Sequence, residues 1–571
     1  MPTLNWIGKE QIINHHNEVE YNIIECIENI GEENSGNLLV KGDNLLALKS
    51  LLPYYAGEVK MIYIDPPYNT GNTSWVYNDA TDAPIIKKWL NKVVDKEDLS
   101  KSDKWLCMMH PRLKLLNKFL KKEGVIFISI DDAEVTNLTN LCNEIFGSKN
   151  FVTKFIWQKK KGGGNDSKYI AIEHEYILMY AKNKDSLDGL IESYTDEYAK
   201  RYKEEDSDGR YYWDTFKRKS GKQYYPITCP DGSVLEFDEM GNKLSWLRSE
   251  SRFYKDLKIG DVKIEKMKHG WTVFFKQRMP EGKTPRSLLL DKGTTSSGSS
   301  LLLEMFGKNI FDNPKPVELI QYFIDMSTND DDIILDSFAG SGTTAHAVLA
   351  QNKKDNSDRK FILIEMEQYA RDTTFARIKK AIKGYTFTGK DTTELFRKKL
   401  TMSQLLKPDM IKKLSEKMLK TIDDEQDEYD TVTKILKDNT LIITGENEVQ
   451  EFKEGIGGGF QYCELSEPLF DELGLLNESI THKMLSKHLY FCEFGQALSG
   501  DIAENTYLGE VNNVALYVFT NKVLKKADLN KIVEEKHTEC VIYADRTTIS
   551  DDELKKHNIA FKQLPFSVKD K

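Results

Sequence analysis

Short apolar segments alternate with amphipathic ones in two stretches of the chain, before about residue 150 and again from about 330 to 395. Five segments are almost wholly apolar and end at a turn or a carboxylate, which is typical of strands buried on both faces of a sheet. These segments are 37–41, 59–64, 124–130, 332–336 and 361–365. The segments predicted to be helical are 44–52, 105–122 and 345–350. The alternation predicts an α/β fold with a doubly wound, mostly parallel sheet.

The pattern changes between residues 151 and 300, where basic and aromatic residues are interleaved. Residues 151–290 hold 27 Lys and Arg against 22 Asp and Glu, although the whole chain has a formal net charge of -10. Basic side chains neutralise phosphates and aromatic rings stack on bases, so this segment is typical of a nucleic-acid surface. The alternative is a solvated domain whose aromatic residues form its core. The residues that we expect to contact phosphate are Lys159, Lys160, Lys161, Lys217, Arg218 and Lys219.

The last part of the chain carries no motif of its own. A Lys- and acid-rich stretch, 402–437, predicts a helix, and the residues beyond it mix strand and helix patterns. We expect a helical linker and an α+β domain that makes subunit contacts. The predicted division is 1–150, an insert at 151–300, 301–395, and 396–571.

Composition narrows the class of protein. With 571 residues, 40% hydrophobic and 30% charged, the chain is expected to be a soluble globular protein with several cores. Seven cysteines without a Cys-x-x-Cys pair argue against a zinc site and for reduced thiols in a cytoplasm. His15 and His16 are adjacent on a predicted helix, so we expect solvated side chains and no metal site. We see neither a signal peptide nor an apolar run that could cross a membrane.

One strand end combines a carboxylate, a rigid turn and an aromatic ring. The strand 59–64 is followed by Asp65-Pro66-Pro67-Tyr68. In open α/β sheets ligands bind at the carboxyl ends of the strands, so this turn is a candidate catalytic site. The alternative is an ordinary strand-ending turn, since Pro and Asp are common turn residues.

A second strand end is rich in glycine. Asp336 ends a predicted strand, and Phe338, Gly340 and Gly342 follow in a loop that leads into a helix. Glycines let a ligand approach the backbone, and a helix start offers free N–H groups. Glu365 lies 25 positions beyond Gly340, near the spacing at which an acid reaches ribose hydroxyls in nucleotide-binding units. A nicotinamide-dependent oxidoreductase would explain this loop but not the Asp65 turn.

In this order, the Asp65 turn, the basic insert and the glycine loop resemble the beta class of DNA amino-methyltransferases. Lys41-Gly42-Asp43-Asn44-Leu45-Leu46 before the turn is similar to the modification subunits of type III restriction-modification systems. Asn313-Pro314-Lys315-Pro316 matches that family's last motif for binding S-adenosylmethionine (AdoMet). The resemblance implies a class I AdoMet-dependent methyltransferase sheet, with 151–300 inserted as the target-recognition domain.

The resemblance also assigns roles to single residues. Asp65 and the Pro66 carbonyl would accept hydrogen bonds from the target amino group, and Tyr68 would stack on the base. The expected AdoMet-binding residues are Asp43, Asp65, Lys315, Asp336, Phe338, Gly340, Gly342 and Glu365. Among them, Glu365 would hold the ribose, Asp43 would lie near the adenine and Lys315 near the carboxylate. Glu367 replaces Glu365 in this role if Glu365 does not fill it.

The implied activity is methylation of adenine N6 in double-stranded DNA. Cytosine N4 and a non-catalytic DNA-specificity subunit stay open as alternatives. Methylation of cytosine C5 needs a Pro-Cys pair, and the chain has none. The chain also has no Gly-x-x-x-x-Gly-Lys-Ser/Thr loop, so DNA cleavage would belong to a separate helicase-nuclease subunit. We further expect a homodimer.

Overall fold

The computed structural model describes residues 4–33, 35–70, 98–162, 169–194, 196–219, 221–401, 407–425, 427–437, 439–470, 476–477, 479–494, 498, 502, 506–520 and 522–564. The strands are β1 Asn22–Gly31, β2 Leu38–Lys41, β3 Val59–Ile64, β4 Leu120–Ile130, β5 Phe151–Gln158, β6 His174–Ala181, β7 Glu204–Asp206, β8 Gly209–Thr215, β9 Ile227–Thr228, β10 Val234–Leu235, β11 Val262–Met267, β12 Gly270–Arg278, β13 Leu288–Leu289, β14 Ile333–Asp336, β15 Lys360–Glu365, β16 Gly384–Lys399, β17 Thr431–Lys437, β18 Thr440–Glu454, β19 Gly459–Pro468, β20 Thr506–Val511, β21 Val514–Val518, β22 Val523–Leu524, β23 Glu539–Ala544, β24 Arg546–Thr547 and β25 Ile559–Gln563.

The α-helices, numbered in chain order, are α1 Lys9–Ile12, α2 His15–Glu18, α3 Asn44–Tyr55, α4 Asp98–Phe119, α5 Val135–Cys142, α6 Asp196–Ala199, α7 Glu250–Ile259, α8 Thr295–Phe306, α9 Val317–Ser327, α10 Thr343–Asp355, α11 Ala376–Lys383, α12 Pro408–Glu425, α13 His482–Phe494, α14 Lys526–Glu534 and α15 Asp551–Lys556. All five predicted strands and the predicted helices at 44–52, 105–122 and 345–350 are present, with bounds that differ by a few residues. The longest difference is at α4, which begins at Asp98 rather than at Trp105.

A ten-stranded mixed sheet forms the larger compact unit, with strand order β1-β19-β2-β15-β14-β3-β4-β6-β5-β13. The five central strands from β2 to β4 all run parallel, and every residue of β3 is buried. Apolar side chains of β3 and β4 pack against α3 and α4 in the main core. The doubly wound, mostly parallel α/β fold is thus confirmed.

The strands β5 and β6, at 151–181, belong to this large sheet. β6 runs antiparallel to β4, and β5 runs antiparallel to β6. The separate compact unit is therefore Leu190–Pro285, narrower than the predicted insert of 151–300. Alternating buried residues in β5 and a continuous buried run in β6 fit both strands to the sheet, and the basic residues around them concealed this pattern.

The compact unit 190–285 has a four-stranded antiparallel sheet, β11-β12-β8-β7, and its own core. Phe216, Tyr225 and Trp246 are buried in that core, whereas Tyr224 is exposed. Half of the aromatic side chains at 211–225 are thus buried in the core, as the alternative interpretation expects, and the contact of the others with nucleic acid stays a prediction.

The chain beyond residue 395 is less separate than predicted. β19 pairs with β1 and β2 and so extends the large sheet. The expected helix at 402–437 is wrong in its second half: α12 ends at Glu425, and 431–437 form β17, in which Thr, Val and Ile favour a strand. Residues 402–406 lie outside the described residues. A further four-stranded sheet, β20-β21-β23-β25, packs with helices around 482–564 and gives the expected α+β character.

Two predictions about the first 35 residues are wrong. His15 and His16 are buried, because α2 packs against α4. Cys26 of β1 forms a disulfide with Cys463 of β19, since the two residues face each other across this antiparallel pair. The expectation of reduced thiols therefore fails for this pair, while the other five cysteines form no disulfide. Among the described residues, no helix has the length and apolar character needed to span a membrane.

Candidate active site

The parallel strands place four acidic residues along one edge of the large sheet. Asp65 follows β3, Asp336 ends β14, Glu365 ends β15, and Asp43 lies just beyond β2. These four strands are neighbours and run in the same direction, so their carboxyl ends meet. The sheet thereby brings the Asp65 turn and the glycine loop together, as expected for a ligand site.

Asp65 is the centre of a polar cluster at this edge. Its Oδ1 accepts a hydrogen bond from the Tyr68 hydroxyl at 2.6 Å, and its Oδ2 accepts one from Lys315 Nζ at 2.7 Å. The Trp105 indole N–H donates to the Pro67 carbonyl at 2.6 Å and fixes the turn. Burial raises the pKa of the Tyr68 hydroxyl well above its usual value, and Asp65 adds to this, so the hydroxyl keeps its proton.

Lys315 contacts Asp65, and its predicted contact with a cofactor carboxylate stays a prediction. Its ammonium is 2.9 Å from the Tyr68 hydroxyl and 3.4 Å from Glu175 Oε2. Burial alone would lower the pKa of Lys315, but the two carboxylates outweigh it and raise the pKa. The lysine is therefore a buried cation that balances Asp65.

The glycine loop forms one wall of a small pocket of about 160 Å³. Gly340 and Gly342 have φ of 52° and 79°, the left-handed region that favours glycine. A Cβ on Gly340 would lie 3.2 Å from the Phe311 ring. The lining residues are Tyr63, Asp65, Pro67, Phe311, Asn313, Pro314, Lys315, Asp336, Phe338, Ala339, Gly340, Ser341, Thr343, Thr344 and Tyr369.

Buried carboxylates hold the shape of this loop. Asp336 accepts from the Phe338 N–H at 2.9 Å and from the Thr344 hydroxyl at 2.6 Å. Glu365 accepts from the backbone N–H of Gly340 at 2.8 Å and of Glu367 at 3.0 Å. Burial raises the pKa of Asp336 and of Glu365 to about 7 in each case.

Three predicted cofactor residues are not on the pocket wall. Asp43 is the N-cap of α3, where its Oδ1 accepts from the N–H groups of Leu45 and Leu46. Gly342 is the N-cap of α10. Glu365 accepts a hydrogen bond from the loop backbone and does not line the pocket. The contact of Glu365 with a ribose and that of Asp43 with an adenine stay predictions.

A second, larger cleft of about 810 Å³ meets the small pocket at Asp65. Asp65 and Lys315 line both cavities, while Pro66, Tyr68 and Glu175 line the larger one. The carboxylate thus lies where a ligand in one cavity would meet a ligand in the other. This is the arrangement needed for a transfer between two bound molecules.

The predicted phosphate contacts differ among themselves. Lys159 donates to Glu175 Oε1 at 3.0 Å, so its charge is balanced within the cluster. Lys160 and Lys161 are exposed beside it. In the compact unit 190–285, Lys217 and Lys219 are exposed, whereas Arg218 donates to the Thr215 carbonyl at 2.7 Å and contacts the Phe275 ring.

Sequence reasoning missed two buried acids near the site. Glu175 is the second residue of β6, and this strand runs antiparallel to β4, so its beginning lies at the same sheet edge. Glu134 is buried and accepts hydrogen bonds from Asn69, Ser102 and Asn137. The signal that could have found Glu175 is an acid at the start of an apolar strand. Within the described residues, no group of three His, Cys, Asp or Glu could hold a metal ion.

Comparison with known proteins agrees with this geometry. A family model described as DNA methylase matches residues 59–376, from β3 to the first residue of α11. The StyLTI Mod subunit of a type III restriction-modification enzyme, from Salmonella typhimurium, is 37% identical over 383 residues, which are 63% of this chain and 56% of that subunit. The EcoPI Mod subunit, from Escherichia phage P1, is 33% identical over 468 residues, 74% of this chain and 71% of that subunit.

Among solved structures, the cytosine-N4-specific PvuII DNA methyltransferase matches this chain. The match covers 61% of this chain and 89% of the PvuII chain. Its sequence identity is 14% and its TM-score is 0.33. The chain spans just over half the length of the StyLTI subunit and about seven tenths of the EcoPI subunit. The family model matches more than half of this chain. The chain therefore belongs to the DNA methylase family, and within that family it is similar to the type III Mod subunits.

Proposed function

We propose that this chain is an AdoMet-dependent, site-specific DNA methyltransferase that modifies N6 of adenine. The observation that carries the proposal is the position of Asp65 at the meeting point of the glycine-loop pocket and the larger cleft. The Mod subunits to which the chain is similar supply the reaction class.

The residues of the small pocket fit AdoMet. Phe338 and Phe311 offer apolar surface, Ser341 and Thr343 offer hydroxyls, and Asp65 offers acidic oxygens toward a cation. A Cβ on Gly340 would make a tight contact with the Phe311 ring, so a side chain there could enter only if the ring shifted. When bound, AdoMet supplies a methyl group on a sulfonium, and the electron pair of the broken S–C bond remains on sulfur.

Asp65 then acts on the other reactant. The exocyclic nitrogen of adenine attacks with a lone pair that is delocalised into the ring, and it gains positive charge as it becomes tetrahedral. A carboxylate that accepts its N–H stabilises that charge. After the C–N bond has formed, the nitrogen loses one proton, which Asp65 can accept and pass to solvent. The Pro66 carbonyl is a second acceptor, and Tyr68 offers its ring to the base.

The larger cleft, about 810 Å³, is the proposed place of the target base. An amino group inside a duplex is out of reach, so the base must leave the stack before it reacts. We assign sequence reading to the compact unit 190–285, which has its own core and exposed lysines. Reading requires groups that contact base edges, separate from those that perform the chemistry.

The reaction is tested with the full chain, duplex DNA and AdoMet whose methyl group carries deuterium. Mass spectrometry of the digested DNA should find deuterated N6-methyladenine. Detection of deuterated N4-methylcytosine instead would show that the target base is cytosine. If AdoMet binds but no deuterated nucleoside forms, the result would favour the alternative of a non-catalytic DNA-specificity subunit. Binding of NAD but not AdoMet would favour an oxidoreductase.

We also propose that the chain works as the modification subunit of a type III restriction-modification system. In this role it forms a homodimer and binds a separate helicase-nuclease subunit. Exposed apolar side chains on the β16–β18–β17 sheet, Ile435, Leu436 and Phe452, support the subunit contacts. Light scattering should give the mass of a dimer, and Leu436→Lys should shift it to a monomer. A monomer in the unaltered chain at micromolar concentration contradicts the homodimer.

A further inference from the structure

Glu175 is a buried acid that contacts Tyr68 of the Asp65 turn and has no assigned part in the reaction. Its side chain is only 10% exposed, and it lies on β6 beside the larger cleft. Its Oε2 is 3.1 Å from the Tyr68 hydroxyl and 3.4 Å from Lys315 Nζ, and its Oε1 is 3.0 Å from Lys159 Nζ. Two carboxylates, two ammoniums and one hydroxyl therefore form a single connected cluster.

The hydrogen bonds of this cluster leave Asp65 occupied. The Tyr68 hydroxyl uses its one hydrogen on Asp65 Oδ1, and Lys315 donates to Asp65 Oδ2. Both donors weaken the carboxylate as an acceptor, because each withdraws negative charge from the oxygen that it contacts. The methyl transfer proposed above needs the opposite, a strong acceptor for the target N–H.

Glu175 offers a second acceptor to both of these donors. The Tyr68 hydroxyl lies within hydrogen-bond distance of Asp65 and of Glu175 at once. Rotation about the phenolic C–O bond of Tyr68 turns the hydroxyl hydrogen from one carboxylate to the other, and no heavy atom has to move. Lys315 needs to move only a few tenths of an ångström to shorten its 3.4 Å contact with Glu175.

Glu175 can fill this role only if it remains ionised. Burial raises the pKa of its carboxyl, but Lys315 and then Lys159 outweigh burial, and the pKa is lowered overall. Lys159 contacts Oε1 and leaves Oε2 for the other two donors. With two negative and two positive charges, the cluster leaves no charge unpaired in a buried place.

We propose that Glu175 is a positioning residue for methyl transfer, which takes over the hydrogen of Tyr68 and the ammonium of Lys315 when Asp65 accepts the target amino group. The proposal rests on the methyltransferase function proposed above. It divides the work between two carboxylates: Asp65 meets the substrate, and Glu175 receives the donors that Asp65 releases.

The test uses Glu175→Gln in the full chain, with Glu173→Gln as the matched control. Glu173 lies two residues earlier on the same chain segment and accepts from Gln158. With AdoMet and DNA saturating, we expect Glu175→Gln to lower the single-turnover rate of methylation about tenfold or more. The dissociation constants of AdoMet and DNA should stay within about twofold, and Glu175→Asp should recover part of the rate. Glu173→Gln should match the unaltered chain.

A second measurement separates positioning from a structural role. In Tyr68→Phe there is no hydroxyl hydrogen to transfer, so adding Glu175→Gln should cost clearly less than it does in the unaltered chain. Equal losses in the two backgrounds overturn the proposal. So does a loss of rate that comes with an equal loss of AdoMet affinity or with a lower midpoint of thermal unfolding. If Glu175→Gln is as fast as an active unaltered chain, only the role of Glu175 falls; if the unaltered chain transfers no methyl group, both proposals fall.

Discussion

The charge cluster at the sheet edge around Asp65 differs from the exposed lysines of the compact unit 190–285, although that unit also buries an acid, Asp256, against Arg248 and Arg252. At the edge, acids and lysines are buried and engage one another, as in Asp65, Lys315 and Glu175. In the compact unit, Lys217 and Lys219 are exposed. A buried, mutually balanced cluster is suited to hold atoms in fixed positions for chemistry. Exposed cations on a separate core are suited to meet a polyanion, because they remain available to phosphates.

Carboxyl groups show the same difference. Burial raises the pKa of Asp336, behind the glycine loop, to about 7. In the compact unit, hydrogen bonds from Ser233 and Trp271 lower the pKa of Asp231 to about 2. Burial disfavours the charged form of Asp336, whereas hydrogen-bond donors stabilise the charged form of Asp231. Each of the following changes should therefore act on one region and spare the other.

Asp65→Ala should give the largest change. The side chain stabilises charge only while the nitrogen is attacked, so its loss should appear in turnover and not in affinity. We expect methyl transfer to fall on the order of 100-fold or more, because the loss of one such group commonly costs that much. AdoMet and DNA binding should change by no more than a few-fold. Residual turnover above about a tenth would refute the assignment of Asp65.

Gly340→Leu should weaken AdoMet binding about tenfold or more, since overpacking of a tight contact costs about 1–3 kcal/mol. Its Cβ would press on the Phe311 ring, and its φ of 52° disfavours any side chain. Gly307→Leu is the control for backbone strain, because Gly307 has φ of 70° but open space around its Cβ. Equilibrium dialysis that finds equal AdoMet affinity in the two variants would place the cofactor elsewhere.

Asp336→Asn should change how stability depends on pH. The folded chain holds the Asp336 proton up to about pH 7, whereas the unfolded chain releases it near pH 4. Between these values the folded state binds more protons, so this group makes the free energy of unfolding fall as pH rises. Its share is at most about 1.4 kcal/mol per pH unit.

Thermal unfolding midpoints at pH 5, 6 and 7 measure this effect without ligands. The midpoint of Asp336→Asn should decline less with pH than that of the unaltered chain. Asp231→Asn is the control, because the pKa of Asp231 is lowered to about 2 and the group stays ionised over the whole range. Parallel curves for all three proteins would show that Asp336 is already charged at pH 5.

The double substitution Lys217→Ala with Lys219→Ala should give the smallest change. If both side chains contact phosphate, the slope of log affinity against log salt should fall by about 0.9 for each lost contact. Binding should weaken by a few-fold for every DNA sequence alike, and the rate at saturating DNA should not change. Lys555→Ala with Lys556→Ala, an exposed pair in the C-terminal part, is the matched control. An unchanged salt slope would remove these lysines from the DNA contact.

The sequence was sufficient to predict the parallel half of the sheet, and with it the meeting of Asp65 and the glycine loop. Buried parallel strands such as β3 and β14 are continuous apolar runs, and their carboxyl ends must share one edge. The antiparallel half of the sheet was harder to predict from the sequence. β6 enters the sheet in the reverse direction, so the residue that reaches the edge is Glu175 at its start.

Long-range pairings explain the remaining differences. β19 joins β1 and β2 across more than 400 residues of chain, and the Cys26–Cys463 disulfide spans 437. No local pattern encodes such a pairing. The partner of Lys315 was hidden for the same reason, because Asp65 lies 250 residues away along the chain.

The division between chemistry and reading is tested most directly by a chimera. Residues 190–285 of this chain would be exchanged for the corresponding unit of a related methylase with another recognition site, and DNA from cells expressing the chimera would be sequenced for methylated bases. We predict that the methylated site changes to that of the donor while the methylated atom stays the same. Continued modification of the original site would contradict the assignment of sequence reading to this unit.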